Sequence, residues 1–486
     1  MNLVRATVRG AMWTIGAGVG ARALGLVGTL AVTRFIAPDD YGEVSVAVVV
    51  VLTANQFSTL GLGQFLIARQ NAPRSTAFHV TVFHVVLGAL ALLASLALGR
   101  TLGGWFDAPG MSRYLPGLLV SGLLDRVAYV PERILVRDLR FRAVSVARTV
   151  GDVVYSVVCV AMAAWGFGGA AIVLGNVARS VLRAALFVFA VELRDWAEPS
   201  RLSMRQTKEL LAFGVPMSLG ALCAFASRRW DNLLVSRFFG PGPAGMYNLA
   251  YNLADVPAIQ VGEQIGDVLV PSFARLEESR RPDALVRSVT LLALVVFPLA
   301  IGLGAVAPTL VRAIFDAKWL PMAPMLVLLS ALSVTRPVGW TVESYLQARE
   351  LPRIIMGLEG FKLVALLVSI VTIGRGGPLY TCAAVGVAFG AHALLAMWAV
   401  HLVDRVSFAR MVAGIGSALV ACVPMIAAVL AMRHGLAAQG GVPPALGLVA
   451  EVAAGSVGYA VGAFLVARST AYDLVHRVVD ALRSHA

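Results

Sequence analysis

The chain has few charged residues for its length. Lysine, arginine, aspartate and glutamate make up 14% of its 486 residues, against roughly 25% in soluble globular proteins. Hydrophobic residues make up 58% of the chain, and the mean hydropathy is +0.80. These values exclude a water-soluble fold and indicate one large membrane domain.

Cysteine and catalytic motifs are scarce as well. The 4 cysteines stand in apolar runs without CxxC spacing, which excludes a disulfide scaffold and a zinc site and predicts small buried residues. No Gly-x4-Gly-Lys-Ser/Thr loop, His-Glu-x-x-His or Gly-x-Ser-x-Gly is found, so neither a built-in ATPase nor these catalytic centres are expected. No long external loop offers room for a membrane glycosyltransferase site. We therefore expect a protein that is not an enzyme and has no metal and no cofactor.

Long apolar stretches are the dominant feature of the chain. Each has about 18–25 residues, the length that crosses a hydrocarbon layer. They predict an all-α polytopic membrane protein with about fourteen transmembrane helices, at 11–36, 44–66, 78–99, 114–136, 143–165, 168–191, 210–236, 246–273, 288–306, 321–347, 354–373, 380–402, 411–432 and 445–466. The first stretch is too long for a cleavable signal peptide, and Arg22 interrupts it.

The basic residues indicate the orientation in the membrane. With the N-terminus inside, the cytoplasmic connections hold 22 Lys and Arg and the opposite ones 8, with Arg34 counted in the connection that follows it. This bias predicts cytoplasmic N- and C-termini. The formal net charge of +13 is then mainly a topology signal, and no nucleic-acid partner is expected.

The chain contains a weak internal repeat. RFIAPDDYGEVSVA (34–47) and RFFGPGPAGMYNLA (237–250) share five residues at an offset of 203, Phe106-Asp107-Ala108 recurs as Phe315-Asp316-Ala317, and Arg137-Asp138-Leu139 resembles Arg349-Glu350-Leu351. We therefore predict two repeated six-helix lobes facing a central cavity, plus two C-terminal helices. The expected divisions are 1–209 for the N-lobe with its linker, 210–410 for the C-lobe, and 411–486 for the last two spans and a cytoplasmic tail.

Charged residues also occur inside the predicted spans, ten basic and ten acidic. At roughly 3 kcal/mol each in lipid, they must pair, lie near an interface or line water, and we expect many to line an aqueous cavity. The first-lobe spans are net basic, which suits an anionic substrate, and the later spans are net acidic. Asn248, Asn252, Asp255 and Glu263 form one helical stripe, roughly 22 Å long at 1.5 Å per residue, that is expected to line the cavity. Arg228 and Asp231 are expected to pair along their helix.

Four segments resemble the polysaccharide transporter (Wzx-type flippase) family of the multidrug/oligosaccharidyl-lipid/polysaccharide exporter superfamily. They are TRFIAPDDYGEVSVA (33–47), ILVRDLRFRAVSVARTVGDVV (134–154), DNLLVSRFFGPG (231–242) and PTLVRAIFDAKWLPMAPML (308–326). The resemblance implies two six-helix lobes around a V-shaped cavity, in the bacterial inner membrane. It implies translocation of an undecaprenyl-pyrophosphate-linked oligosaccharide, with membrane lipid and a polysaccharide polymerase or export complex as further partners.

The resemblance and the residues together suggest candidate roles. Arg22, Arg126, Arg228 and Arg336 are candidate pyrophosphate ligands, because a guanidinium binds phosphate oxygens bidentately. Asn55, Gln56, Asn248 and Asn252 are candidate sugar-binding or cavity-lining residues. Asp231, Asp255 and Glu263 are candidates for coupling to a proton or sodium gradient. The alternatives are an ion-coupled drug or cation antiporter of the same superfamily and a lipid II flippase.

The charge bias makes a prediction about topology. Green fluorescent protein fused after Ala486 should fluoresce, because that end is expected in the cytoplasm. Alkaline phosphatase fused after Phe167, between the fifth and sixth spans, should be active, because it forms its disulfides only outside the cytoplasm. A matched phosphatase fusion within 192–209 should be inactive, and activity there would contradict the orientation.

Overall fold

The computed structural model describes residues 25, 27–68, 74–201 and 203–466, without the side chains at 67, 68, 74, 213, 216, 217 and 257–268. Every regular element in these ranges is helical, which confirms the all-α prediction. Three of the four cysteines are buried, and none forms a disulfide. The chain groups into two compact units, Met1–Gly245 and Met246–Ala486, called unit 1 and unit 2 below.

In unit 1, residues 27–35 are helical and are followed by a break at residues 36–37. Its helices are α1 (Pro38–Thr59), α2 (Leu62–Ala68), α3 (Arg74–Ala97), α4 (Gly99–Trp105), α5 (Leu115–Arg137), α6 (Phe141–Ala164), α7 (Ala170–Ala190) and α8 (Met204–Phe239). One apolar core forms around α1, α5, α6 and α7. A second lies around α2, α3 and the other end of α5.

Unit 2 contains most of α9 (Pro241–Arg275), which begins in unit 1, and the rest of the chain. The helices that follow are α10 (Arg281–Ile314), α11 (Ala323–Leu332), α12 (Arg336–Ala348), α13 (Pro352–Thr372), α14 (Pro378–Asp404), α15 (Phe408–Ala421), α16 (Val423–Gln439) and α17 (Pro444–Val466). Its largest core joins α9, α10, α12 and α14.

Nine helical segments of the described chain are long and apolar enough to cross a membrane. They are Ser75–Ala97, Phe141–Ala164, Ala170–Ala190, Glu278–Ile314, Ala317–Ala348, Pro352–Gly376, Pro378–Asp404, Phe408–Gln439 and Pro444–Val466. Each coincides with a predicted span, so the chain is a multi-pass membrane protein. Four further predicted spans coincide with the less apolar helices α1, α5, α8 and α9, and the first lies mostly outside the described residues. The count of fourteen stays a prediction.

The predicted span 44–66 is not continuous. Helix α1 ends at Thr59, and the backbone turns left-handed at Leu60 (φ 45°) and Gly61 (φ 56°). Because left-handed residues stop a right-handed helix, α2 starts as a separate helix at Leu62. The apolar run concealed this break, although Gly61 is the turn residue that allows it.

Two later predicted spans are also interrupted. Within 321–347 a 3-10 turn (Ser333–Thr335) separates α11 from α12, whose second residue is Pro337. Within 411–432 the chain breaks between α15 and α16, next to Pro424. Proline lacks the amide that would continue the preceding turn, so both breaks follow from the sequence.

The linker between α7 and α8 is attached to α3. The Thr81 hydroxyl donates to the Trp196 carbonyl at 3.0 Å, and the backbone N–H of Ser203 donates to Nε2 of buried His79 at 2.8 Å. Helix α8 itself packs on α1 within unit 1. The packing boundary at 245/246 therefore lies beyond the division at 209/210 inferred from the repeat, which stays a prediction.

Local structure recurs at the repeated sequence segments. The ends of α5 and α12 share a left-handed residue, Leu139 (φ 58°) and Glu350 (φ 55°), and each end is closed by three matching backbone hydrogen bonds of 2.8–3.1 Å. The structure therefore pairs Leu139 with Glu350, one position away from the pairing of Leu139 with Leu351 in the sequence repeat. The phenylalanines that follow α4 and α10, Phe106 and Phe315, each precede a 3-10 helix. Both α1 and α9 begin at a proline of the repeat, Pro38 and Pro241.

The last two helices approach each other through small residues. A β-carbon at Gly458 would lie 2.7 Å from the Pro424 carbonyl oxygen, and one at Gly462 would overlap the Ala421 carbonyl. Beside this contact, buried Glu451 on α17 accepts from the Thr309 hydroxyl at 2.7 Å and from Arg433 at 2.8 and 3.0 Å. These contacts hold α16 and α17 together and against α10.

Because the two helices are so close at Gly462, replacing this glycine should destabilise the protein more than replacing a glycine that faces open space. Gly462→Leu should lower the free energy of unfolding by about 1–3 kcal/mol, because overpacking forces the helices apart. Gly435→Leu is the matched control, because a β-carbon at Gly435 meets open space. Thermal unfolding of the purified variants, monitored by size-exclusion chromatography, measures the difference in stability. Equal stability of the two variants would contradict the packing.

Candidate functional site

A buried arginine lies beside the end of α1. Arg126 on α5 is 3% exposed. Its Nη2 donates to the Asn55 carbonyl and Oδ1, both at 2.7 Å, and to the Ser58 hydroxyl at 2.5 Å, while Nε donates to Asn55 Oδ1 at 3.1 Å. The guanidinium therefore holds the C-terminal end of α1, directly before the break at Leu60.

The other side of the guanidinium faces an aromatic pair. Nη1 of Arg126 lies 3.2 and 3.3 Å from the His84 ring nitrogens, and the His84 ring stacks on Tyr129 at a centroid distance of 4.0 Å. Gly88 provides the space, since a β-carbon there would lie 2.5 Å from Arg126 Nε. Among the described residues no carboxylate contacts this cation. Arg126 is thus a buried charge stabilised by neutral acceptors.

Two residues predicted for separate roles are therefore bound to each other. Arg126 was expected to bind pyrophosphate and Asn55 a sugar hydroxyl. In the structure Arg126 donates hydrogen bonds to the Asn55 side chain. Gln56 is half-buried at the next position. Sequence spacing could not reveal this contact, because it joins two helices.

Unit 1 contains a network of acidic and basic side chains for which the sequence suggested no role. The Asp152 carboxylate on α6 accepts from Arg183 at 2.8 Å and lies 3.9 Å from Arg179, both on α7. Arg179 also lies over the Tyr155 ring at 5.1 Å. The i, i+4 spacing of Arg179 and Arg183 was the available signal, since such residues share a helix face. Most of the basic charge of α6 and α7 is thus paired within the unit.

The two charged candidates on α8 face different environments. Arg228 is exposed and makes no hydrogen bond or ion pair with any other residue that the structure describes. Asp231 is fully buried, and its Oδ1 accepts from the backbone N–H and side-chain amide of Asn232 at 2.9 and 3.0 Å. The expected Arg228–Asp231 pair is therefore wrong, because the two side chains leave the helix toward exposed and buried sides.

The polar stripe of α9 has side-chain partners at its three described positions. Asn252 Nδ2 donates to Asn248 Oδ1 at 2.8 Å, and both Asn248 and Asp255 are buried. Asp255 forms an ion pair with Nη1 of Arg336, the first residue of α12 after its break. The helix interruption thus positions Arg336 to face α9.

Arg336 is enclosed on further sides by aromatic rings. Its guanidinium lies 5.1 Å from the centroid of Tyr251 and 5.2 Å from that of Phe389, in the range of cation–π attraction. The same three side chains, with Ser333 and Gly386, line a small cavity inside unit 2. The Arg336 guanidinium therefore borders a small internal space.

Two further candidates lie outside the described part. Arg22 falls within 1–24, and the side chain of Glu263 falls within 257–268. The structure thus places Arg126 with Asn55, Arg336 with Asp255, and Asn248 with Asn252, and leaves Arg228 exposed.

Comparison with known proteins gives matches along most of the chain. The family model for "polysaccharide biosynthesis protein" matches residues 31–324. The lipopolysaccharide biosynthesis protein WzxC of Escherichia coli (strain K12) is 25% identical over 394 residues, which are 80% of this chain and 78% of that protein. The succinoglycan biosynthesis transport protein ExoT of Rhizobium meliloti (strain 1021) is 26% identical over 336 residues, or 67% and 66% of the two chains.

The fold also matches a solved structure. The lipid II flippase MurJ in an inward closed conformation aligns with a TM-score of 0.74, over 94% of this chain and 99% of that one. The sequence identity is 11%, so the likeness concerns the fold alone.

The contrast between two arginines generates a stability prediction. Arg126→Met should lower the free energy of unfolding by about 1–3 kcal/mol, because buried acceptors at Asn55 and Ser58 lose their donor. Arg228→Met should change it by less than about 0.5 kcal/mol, because an exposed side chain without partners is lost. Thermal unfolding in one detergent compares them. A large loss for Arg228→Met, or none for Arg126→Met, would contradict the assigned environments.

Proposed function

The chain belongs to the polysaccharide biosynthesis protein family, and we propose that it flips a polyisoprenyl-pyrophosphate-linked oligosaccharide across the inner membrane. The family match confirms the Wzx-type resemblance of the sequence. The observation that carries the proposal is this match over 31–324, together with relatives named for lipopolysaccharide biosynthesis and succinoglycan transport. The product would serve exopolysaccharide, capsule or O-antigen synthesis.

The substrate defines the physical task. A pyrophosphate with attached sugars cannot enter hydrocarbon, because transfer of charged and polar groups out of water is unfavourable by many kcal/mol. The prenyl tail, in contrast, can stay in lipid. A protein that moves the headgroup must offer a hydrated path with cations, and must expose it to one side of the membrane at a time.

We infer the architecture for this task from the repeat. Fourteen spans, arranged as lobes 1–209 and 210–410 with an added pair in 411–486, would give both lobes the same orientation. The recurring helix caps at Leu139 and Glu350 support two copies of one structural plan. Cytoplasmic termini would follow from the distribution of basic residues.

Among the candidate pyrophosphate ligands, we rank Arg228 first. It is exposed and bound to no other described side chain, so its guanidinium fork is free for phosphate oxygens. Arg22 remains a candidate from the sequence. Arg126 would act by fixing Asn55 and the end of α1, since neutral acceptors already occupy its donors.

Arg336 suggests how substrate and ion binding are linked. It is paired with Asp255, and a pyrophosphate that binds Arg336 must compete with that carboxylate. A proton or sodium ion on Asp255 would release the guanidinium. Substrate and ion would thus affect each other's affinity reciprocally. Asp231 and Glu263 remain further candidates for coupling.

A lipid II flippase is the second candidate function, favoured by the MurJ-like fold. Both substrates contain a prenyl pyrophosphate, so the same arginines would serve either. The drug or cation antiporter is the less favoured alternative, because basic residues prevail in the first-lobe spans.

A deletion strain carrying plasmid-borne variants tests the function. We expect loss of the gene to trap lipid-linked repeat units on the cytoplasmic leaflet, and the wild type to restore their exposure. Arg228→Met should reduce exposure about tenfold or more, since loss of a charged hydrogen bond removes roughly 1.5–3 kcal/mol. Periodate oxidation of outward-facing sugars in intact spheroplasts measures the sidedness.

The matched control is Arg205→Met, an exposed arginine near the start of the same helix, which should behave as wild type at equal membrane levels. If repeat units reach the outer face without the gene, the flippase proposal fails. If lipid II is trapped instead of the repeat unit, the second candidate replaces it. Normal flipping by Arg228→Met would keep the function and remove Arg228 from the site.

A further inference from the structure

Three neighbouring helices of unit 1 carry charged residues at mid-helix. Asp125 lies at the middle of α5, Asp152 at the middle of α6 and Arg179 at the middle of α7. Further charged residues follow one or two turns away on the same helices. Together they form the α5–α7 network, which consists of Asp125, Glu132, Arg148, Asp152, Arg179 and Arg183.

The network is accessible, although α6 and α7 are two of the nine helices apolar enough to cross a membrane. The Asp152 side chain is 36% exposed and that of Arg179 28%, and Asp125 is exposed as well. A long arginine can extend toward the membrane surface, but an aspartate at mid-helix is too short to do so. Ionised groups at this depth that the protein does not cover must therefore face water.

The opposite sides of α6 and α7 are apolar. On α6, Val150 and Val157 are exposed, and at about 100° per residue they lie on the side opposite Asp152. On α7, Val181 is exposed and lies opposite Arg179. The two helices thus have one side that suits lipid and another that requires water.

Ion pairs across the helices hold the network in place. Arg183 donates to Asp152 Oδ1 at 2.8 Å and to the Arg148 carbonyl at 3.2 Å. Nε of Arg148 donates to Glu132 Oε1 at 2.9 Å. Gly151 makes room for Arg183, because a β-carbon there would lie 2.7 Å from its Nε. Side chains from three helices are thereby fixed on one hydrated surface.

The charges of the network compensate one another. It has three arginines and three carboxylates, and each arginine lies within 4.0 Å of a carboxylate oxygen. A pyrophosphate would meet carboxylates here, whereas Arg228 offers it a guanidinium without an acid partner. A metal cation would meet guanidinium groups. The network therefore favours a polar ligand without charge.

The network also has unused hydrogen-bond acceptors. Within the described part of the chain, all partners of the Asp152 carboxylate contact Oδ1, and all partners of the Glu132 carboxylate contact Oε1. Oδ2 and Oε2 are left open beside guanidinium groups. A hydroxyl both donates and accepts hydrogen bonds, so it can donate to an open oxygen and accept from Arg148. Sugar units present many such hydroxyls.

The asparagines that the sequence suggested for sugar binding are less available. Asn55 accepts hydrogen bonds from Arg126, and Asn252 donates to Asn248. In the network, by contrast, the second oxygens of two carboxylates remain open on an accessible surface.

From these observations, we propose that the α5–α7 network is a binding surface for the uncharged sugar units of the transported lipid. Asp152 and Glu132 accept hydrogen bonds from sugar hydroxyls, and Arg148 donates to them. This role rests on the proposed function and assigns the sugars to a surface separate from the pyrophosphate ligands.

Thiol labelling tests whether the network faces water. Asp152→Cys and Val150→Cys, each combined with Cys223→Ala because Cys223 is only half-buried, are reconstituted in nanodiscs. They are treated with a charged thiol reagent that does not enter lipid. Asp152→Cys should react many-fold faster, because the reagent needs a thiolate in water. Asp125→Cys provides a second water-side position if Asp152→Cys does not fold. Labelling of the water-side positions no faster than Val150→Cys would overturn the proposal.

Two probes separate sugar binding from pyrophosphate binding. They are undecaprenyl pyrophosphate and the lipid-linked repeat unit extracted from the deletion strain, and native mass spectrometry of the detergent-solubilised protein measures both. Asp152→Asn keeps an acceptor for Arg183 but replaces one carboxylate oxygen by a donor. It should weaken binding of the repeat unit about tenfold or more and leave undecaprenyl pyrophosphate unchanged. The matched control is Asp138→Asn, in an acid–arginine pair just after α5, which should bind both probes normally.

Thermal unfolding shows whether Asp152→Asn is folded, and Glu132→Gln takes its place if it is not. Arg228→Met should weaken binding of both probes, because both contain pyrophosphate. Unchanged binding of the repeat unit by the network variants, or an equal loss for both probes, would overturn the sugar surface and leave the flippase proposal standing. A wild type that binds neither probe would end both proposals.

Discussion

Burying ionisable groups among apolar helices is the constraint on which the rest of this structure depends. A charge in hydrocarbon is unstable by several kcal/mol, so each such group must find a partner within the protein. The chain does this in different ways. Arg433 and Glu451 form an ion pair with two hydrogen bonds, Asp152 neutralises an arginine of the neighbouring helix, and Arg126 is held by neutral acceptors around Asn55.

Where every polar atom has a partner, burial gives stability and fixed geometry. Arg336 combines several kinds of partner, since it has an acid, two aromatic rings and a small cavity beside it.

The sequence predicted much of the fold, because span length and hydropathy report directly on the hydrocarbon layer. Nine predicted spans coincide with apolar helices. The repeat located two helix ends of the same backbone conformation, but one residue out of register, because Leu139 corresponds to Glu350 and not to Leu351. Prediction from the sequence failed where contacts between helices determine which side chains pair. Periodicity put Arg228 and Asp231 near each other, but only packing shows that one is exposed and the other buried. The contact of Arg126 with Asn55 is equally invisible to spacing within one helix.

Helix α8 has a mechanical consequence that follows from its length. Its 36 residues make a rod about 54 Å long, well beyond a hydrocarbon layer of about 30 Å. A tilt of about 5° around its Gly240 end would sweep the Met204 end through about 5 Å. That end adjoins the linker anchored to α3 through His79 and Trp196. These two hydrogen bonds therefore hold the chain next to the end of the helix that such a tilt would displace most.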